Sequence, residues 1–534
     1  MIKSIRLQNF RSIVESNWID LAPITVVIGK NSAGKSSFLR TLPLLKQSLE
    51  ADTKEPLLWY GRFVDFGGFS DVVSRYGTNK SLTVGFKVET SPRTAREVVV
   101  PDGEQVIVFY EERGAEVFLE KNMELIANLT LEPKQSAEGT YVKKISLRVL
   151  QDEIEVIGNE DGVVVALRIG TETIQNVGNV KFRSVRNGFF PTLVVGSEAV
   201  GLEAFRTRRD GPFFELILSR LEGLFHGNTK PQTKRSAIRK LKWGSGRNFY
   251  SHLISLLPAA ESRVNWSPLE PQEPGSITAI RLLVLLRILP EIIASVNAEL
   301  LKTAGAVRYL APVRATASRY YRFQELAVDQ IDPQGENVPM FLNSLTESQR
   351  RELERWMSAS LGFNVKSSRS GHGHTALFVR EGGDDSGLNL ADTGFGYSQI
   401  LPVALQIWKS LQDNKDSKVR RPIAPSVIVI EQPELHLHPQ FQAALADIFA
   451  SSIASRSVDG RPPVSFIIET HSEHLVNRLG ELVQGGKLDS SNVRIVLFEK
   501  KSPNQASEVR SAAFGSDGAI EGEWPFGFFV PQFP

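Results

Sequence analysis

A chain of 534 residues, 41% hydrophobic and 23% charged, has the size and composition of a folded protein of several domains, far from the low-hydrophobicity signature of disorder. Its zero cysteines exclude disulfides, thiolate metal sites and cysteine nucleophiles, and a formal net charge of +2 selects no partner by itself. The apolar stretch from residue 280 to 293 is broken by Arg281, Arg287, Pro290 and Glu291, short of the roughly 20 clean residues of a membrane span, and residues 1–6 lack the apolar core of a secretory signal. The expectation is a cytoplasmic protein with no membrane partner.

Residues 5–11 and 24–28 read as strands, and the second runs into Gly29-Lys30-Asn31-Ser32-Ala33-Gly34-Lys35-Ser36, with a helix expected from Ser37 onward. This is the full P-loop pattern in its required strand–loop–helix context. Glycines let backbone N–H groups face phosphates at a helix N-terminus, Lys35 reaches the β and γ phosphates, and the Ser36 hydroxyl suits Mg²⁺. ATP and Mg²⁺ are therefore the expected cofactors. Ser37 and Arg11 complete the expected nucleotide-binding set on this side.

From about residue 81 to 195 come short β-rich pieces, among them 97–100, 106–110 and 163–167, divided by Gly, Asp and Asn turn signals. They suggest an antiparallel β subdomain. Helical spacing then dominates between about 200 and 306, around residues 213–224 and 280–301, without the sustained heptads of coiled-coil arms. Within it no acidic residue separates Glu222 from Glu261, whereas Lys230, Lys234, Arg235, Arg239, Lys240, Lys242 and Arg247 cluster with Trp243, Phe249 and Tyr250. Basic groups neutralise phosphates and aromatic rings stack on bases, so residues 230–250 are a candidate DNA or RNA contact, and equally a solvated basic face or a protein-docking surface.

After about residue 388 the character is α/β again. Asp392-Thr393-Gly394-Phe395-Gly396-Tyr397-Ser398-Gln399 precedes a helical run through Ile400, Leu401, Leu405 and Trp408, a second place where glycines, a hydroxyl and free N–H groups can hold an anion. Pro402 is expected among the early positions whose N–H has no internal partner. Val427-Ile428-Val429-Ile430-Glu431 is an apolar strand ending in a carboxylate able to hold Mg²⁺, a pattern that also arises by structural accident. Phe466-Ile467-Ile468-Glu469-Thr470-His471-Ser472 is another apolar strand, ending in Thr-His; a lone histidine is more often a satisfied core residue than a catalytic one. Strands this apolar suit a parallel sheet buried on both faces. The fold class expected is α/β, with the nucleotide domain split between the chain ends and boundaries at 1–200, 201–306 and 307–534.

Taken in order, these segments resemble the ABC/SMC-head class of P-loop ATPases. Glu431-Gln432-Pro433-Glu434-Leu435-His436-Leu437-His438-Pro439 looks like its Walker B and D-loop in the variant of RecF-like and OLD-like proteins, residues 466–472 are similar to its switch-histidine strand, and residues 392–399 to a divergent signature motif. The resemblance implies an ABC-type P-loop NTPase head, Ser36 and Glu431 at the metal, and Glu431, Gln432, Glu434 and His471 at the catalytic positions. It also implies that Gly394, Gly396, Ser398 and Gln399 bind the γ-phosphate held by a second subunit, hence a homodimer or higher even-numbered oligomer. Gln432 stands where the class has the glutamate that polarises water, and an amide cannot accept a proton, so slow hydrolysis is expected. Three readings stay open: Glu434 substitutes as base, ATP serves mainly as a dimerising ligand, or Gln432 is an introduced change.

Weaker echoes at Tyr309-Leu310-Ala311-Pro312-Val313-Arg314, Gly335-Glu336-Asn337 and Trp524-Pro525-Phe526-Gly527-Phe528-Phe529 look like elements of a bacterial AAA-type group that resembles the PtuA ATPase of Septu and retron anti-phage systems. That implies an ATPase working with a separate effector such as an HNH nuclease. The alternatives are a RecF-like DNA repair ATPase and an ATP-liganded assembly scaffold.

Overall fold

In a computed structural model, the chain is described at residues 2–522 except 52, 54, 91–122, 136–138, 176, 186–187, 196–211, 245, 265–274, 323–327, 329, 371–372, 382–386, 417–424, 455–461 and 503. Two large sheets organise it. The first has seven strands in the order Val307–Leu310, Ser426–Glu431, Val464–Glu469, Ile24–Gly29, Val493–Glu499, Glu508–Phe514 and Ile520–Glu521. The first five run parallel and the last two antiparallel. Strands from both ends of the chain are therefore neighbours in one sheet, the split head expected from the motif order.

Alternate residues of these strands enter opposite cores. Val27, Val429, Ile467, Val496 and Phe498 belong to one apolar cluster, and Ile28, Ile430, Ile468 and Leu497 to the other. A strand buried on both faces has no use for polar alternation, which is why Ile24–Gly29 is buried at all six positions.

The second sheet is antiparallel and nine-stranded. It takes Ile2–Phe10, Ile13–Glu15 and Ile19–Asp20 from the N-terminus and continues through Leu82–Thr90, Met123–Pro133, Thr140–Val149, Asp152–Gly158, Val164–Ile169 and Glu172–Gln175. The expected pieces at 97–100 and 106–110 lie outside the described residues, as does the aromatic stretch 524–529.

Between residues 214 and 306 the chain forms the helices Phe214–Leu221, Pro231–Lys240, Gly246–Leu256, Ala259–Val264, Gly275–Arg287 and Leu289–Ala306. The apolar run at 280–301 is two helices, because Pro290 can occupy the first turn of a new helix but not the interior of an old one. Leu289–Ala306 packs on the helix Thr41–Glu50, on Leu82–Thr90 and on Ser426–Glu431, so one continuous core joins the cradle side, the antiparallel sheet and the insertion. A buried ion pair pins that junction. Arg281 donates from Nε and Nη2 to the two oxygens of Asp152, each at 2.7 Å, and the Trp243 indole N–H donates to Asp152 at 3.2 Å. Among the described residues, no helix is long and apolar enough to cross a membrane.

The helix Phe395–Asp416 corrects one expectation. It starts at Phe395, so Pro402 lies two turns inside rather than in the first turn, where the missing N–H removes an internal hydrogen bond.

Candidate nucleotide site

The cradle follows directly from the strand Ile24–Gly29 at the carboxyl edge of the parallel sheet. Gly29 has φ 149°, and a Cβ there would lie 2.1 Å from the Phe498 carbonyl oxygen on the neighbouring strand. Gly34 has φ 95° and caps the helix Lys35–Leu39; its Cβ would meet the Ser12 hydroxyl at 2.4 Å. Only glycine fits either position, which is the physical content of the motif. Lys30, Asn31 and Ser32 form an exposed lip, Ala33 is buried, and Ser36 and Ser37 are half-buried at the helix start. Lys35 is buried, with Nζ donating to the Lys30 carbonyl at 2.9 Å and standing 3.8 Å from the Glu469 carboxylate. Burial pushes its pKa below the ordinary lysine value, against the opposing pull of the Glu469 and Glu434 carboxylates.

Arg40 separates the helix Lys35–Leu39 from Thr41–Glu50, whose first turn holds Pro43. The break turns its guanidinium onto Glu431: Nε to Oε1 at 2.6 Å and Nη2 to Oε2 at 2.7 Å. The Tyr309 hydroxyl donates to Oε1 at 2.7 Å, and Arg314 donates from Nη2 to the Glu431 carbonyl at 3.1 Å. Glu431, expected as a metal ligand, is thus buried with three donors on its carboxylate. The anion raises both the Arg40 and Tyr309 pKa values, for Tyr309 behind the larger effect of burial. Arg314, almost wholly enclosed, is pushed down to about 10 by desolvation, and its Nε and Nη1 are buried without hydrogen-bond partners.

Gln432 has φ 42° and its N–H donates to the Glu469 carbonyl at 2.8 Å, so the chain leaves the sheet in a left-handed turn immediately after Glu431. Glu434 then reaches across to the Thr-His segment. Its Oε2 accepts from the Thr470 hydroxyl at 2.8 Å and its Oε1 from the His471 N–H at 2.6 Å. With both oxygens engaged, Glu434 acts here as a clamp between the two strand ends, and desolvation raises its pKa. His471 is half-buried, its pKa lowered by desolvation and by Lys35.

The expected signature residues sit elsewhere. Gly394 is exposed; the Ser398 hydroxyl donates to the Phe395 carbonyl at 2.7 Å, and Gln399 Nε2 donates to the Arg314 carbonyl at 3.3 Å. Gly396 packs on the turn at His436, where a Cβ would meet the carbonyl oxygen at 3.0 Å. None of these bonds reaches residues 29–37. Arg11 is half-buried at φ 52°, with its guanidinium over the Phe66 ring and donating to the Phe66 carbonyl. Its pKa is lowered by burial and by Arg40.

Sequence reasoning gave no role at this site to Arg40, Tyr309, Arg314 or Glu469. Glu469 had the same signal as Glu431, an acid ending an apolar strand, and the two are direct register partners on adjacent parallel strands. Arg40 carried no pattern; only the helix break aims it.

In the basic segment 230–250 the structure bears on the aromatic residues and on part of the basic cluster. Trp243, Phe249 and Tyr250 are buried and cannot stack on bases, Lys234 and Arg235 pair with Glu222 and Glu215, and Arg239 lies over the Phe214 ring. The gap in acidic residues along the sequence is filled in space by acids from before it.

A family model described as "AAA ATPase domain" matches residues 1–154 and 298–476, well over half of the chain. An uncharacterized protein of Methanocaldococcus jannaschii is 27% identical over 191 residues, covering 29% of this chain and 85% of that protein. Among solved structures, the SMC head domain from Thermotoga maritima aligns over 95% of this chain and 98% of its own at 11% identity, with a TM-score of 0.32. The recombination mediator protein RecF of the RecFOR pathway aligns over 95% and 98% at 10% identity, with a TM-score of 0.29.

Proposed function

The chain belongs to the AAA ATPase domain family, and from that premise we propose that it is an ATP-operated switch whose site is completed by a second copy. The observation that carries this is the cradle itself: Gly29 and Gly34 in backbone conformations that only glycine tolerates, with buried Lys35 at the head of a helix. Residues 29–37 would hold the phosphates, and Lys35 would exchange the Lys30 carbonyl for phosphate oxygens. Mg²⁺ would supply charge neutralisation between the phosphates, with Ser36 and a neighbouring strand-end carboxylate as its protein ligands.

A second copy is favoured by what surrounds Ser398. Val313, Tyr320, Leu388 and Phe395 are among the few large apolar side chains left exposed in the described residues, and they lie about the start of the helix Phe395–Asp416. Asn389 bonds the Arg319 carbonyl and Arg319 pairs with Asp392, which draws these segments into one face. An exposed apolar face beside the signature-like segment is what a facing cradle would cover. Slow turnover is part of the proposal, since Gln432 supplies no base. The likeness of residues 309–314 and 335–337 to the PtuA-like group supports extending the reading to control of a separate effector such as a nuclease in anti-phage defence; co-purification from the native host tests that extension.

The core proposal is tested by ATP binding and sedimentation. ATP should bind and should shift the protein to an even-numbered assembly; Lys35→Ala should abolish binding, and Ser398→Arg should abolish the ATP-dependent assembly while leaving monomer binding intact. ATP affinity unchanged in Lys35→Ala would refute the site.

A further inference from the structure

We propose that Glu469, rather than Glu431, is the carboxylate that faces the Mg²⁺ of a nucleotide held in the cradle, and that Glu431 is a positioning residue locked by Arg40. The inference rests on the ATP-site reading above. Both acids end adjacent parallel strands, but their surroundings differ. Glu431 already accepts two bonds from a guanidinium and one from a phenol, and a divalent cation brought to it would stand against the Arg40 charge. Glu469 is one strand closer to the cradle, since Val464–Glu469 pairs directly with Ile24–Gly29. Its Oε1 stands 3.8 Å from Lys35 Nζ; desolvation raises its pKa, and the Ser36 hydroxyl beside it offsets part of that by favouring the charged form.

The decisive feature is Oε2 of Glu469, which is buried with no hydrogen-bond partner. A buried anionic oxygen that no protein donor reaches is costly, and a cation is the group that would offset that cost while it stays ionised. Mg²⁺ fits this donor set because it takes few protein ligands and keeps waters and phosphate oxygens for the rest. In agreement, no cluster of three or more His, Asp or Glu suited to a metal occurs among the described residues. A carboxylate and a hydroxyl beside phosphates are enough for Mg²⁺ and too few for a metal held by protein alone.

The test is equilibrium binding of ATP to the full chain with Mg²⁺ and with EDTA, alongside Mn²⁺ paramagnetic resonance in the presence of ATP. The parent should bind ATP more tightly with the metal. Glu469→Gln should keep its metal-free affinity, which also reports a folded cradle, and lose about tenfold or more of the metal-dependent gain and the protein-perturbed Mn²⁺ signal. Glu469→Asp, which keeps the charge on a shorter stem, should retain part of the gain. Glu431→Gln should retain the gain. A full metal-dependent gain in Glu469→Gln, or its loss in Glu431→Gln alone, overturns the assignment. Failure of the parent to bind ATP, or indifference to Lys35→Ala, overturns the ATP reading itself and is distinguished by needing no metal.

Discussion

Arg40 grips both carboxylate oxygens of Glu431, across a gap of 391 positions in the sequence, at 2.6 and 2.7 Å. The pair joins the helix break after the cradle to the end of the central strand, and Glu431 is 2% exposed. Removing one partner of such a pair leaves an uncompensated buried charge, which costs on the order of 3–5 kcal/mol. Arg40→Ala should therefore lower the denaturation midpoint substantially, and Arg40→Leu combined with Glu431→Leu should cost less than the sum of the single changes. Additive costs in chemical denaturation would show that the contact contributes little.

Gln432 occupies a left-handed turn with its N–H fixed to the Glu469 carbonyl, so the backbone that would carry a base is already in place. Gln432→Glu changes only the group on that stem. General-base catalysis is worth about 10²–10⁴-fold, and steady-state phosphate release should rise by at least tenfold. Unchanged turnover would mean that another step limits the rate.

Asp152 and Arg281 test the junction between the antiparallel sheet and the insertion. Both are almost fully buried, and Asp152 also accepts from Trp243. Asp152→Ala removes the buried carboxylate that both the guanidinium and the indole N–H bond, and should destabilise by about 3–5 kcal/mol. Arg281→Met, which keeps the volume but still strands the carboxylate, should be nearly as costly. Thermal melts of either variant within about 1 °C of the parent would contradict this.

Lys46, on the helix after the break, is buried with Nζ donating to the Val307 carbonyl and to Gln330, and desolvation lowers its pKa from 10.5 to about 8. Between those values the unfolded chain holds more protons at this position than the folded one, so stability from Lys46 rises with pH across that window and its deficit is full below about 8. The stability difference between the parent and Lys46→Met should move in the parent's favour as pH rises from 8 to 10. A difference flat with pH would place the titration elsewhere.

How much was legible in the sequence depended on whether a feature was local. The cradle needs glycines at fixed offsets and a strand before it, and all of that lies within thirteen residues, so its form could be read directly. The split sheet followed from two blocks of apolar strands at opposite ends of the chain. Arg40, Tyr309 and Arg314 could not be read, because nothing near them in sequence says that three distant segments converge on Glu431. The surroundings of the basic stretch were hidden for the same reason: its acidic partners Glu215 and Glu222 precede it, and the rings of Trp243 and Phe249 lie in a core that only the fold creates.

The helix Leu289–Ala306 passes without a loop into the strand Val307–Leu310, and that strand presents Tyr309 to Glu431. The same helix lies on the helix that follows Arg40. Insertion and strand-end acid are thus joined directly along the chain and through a close-packed interior. The strand that presents Tyr309 to Glu431 and the long helix of the insertion therefore form one uninterrupted stretch of chain, with no loop between the acid's neighbourhood and the insertion.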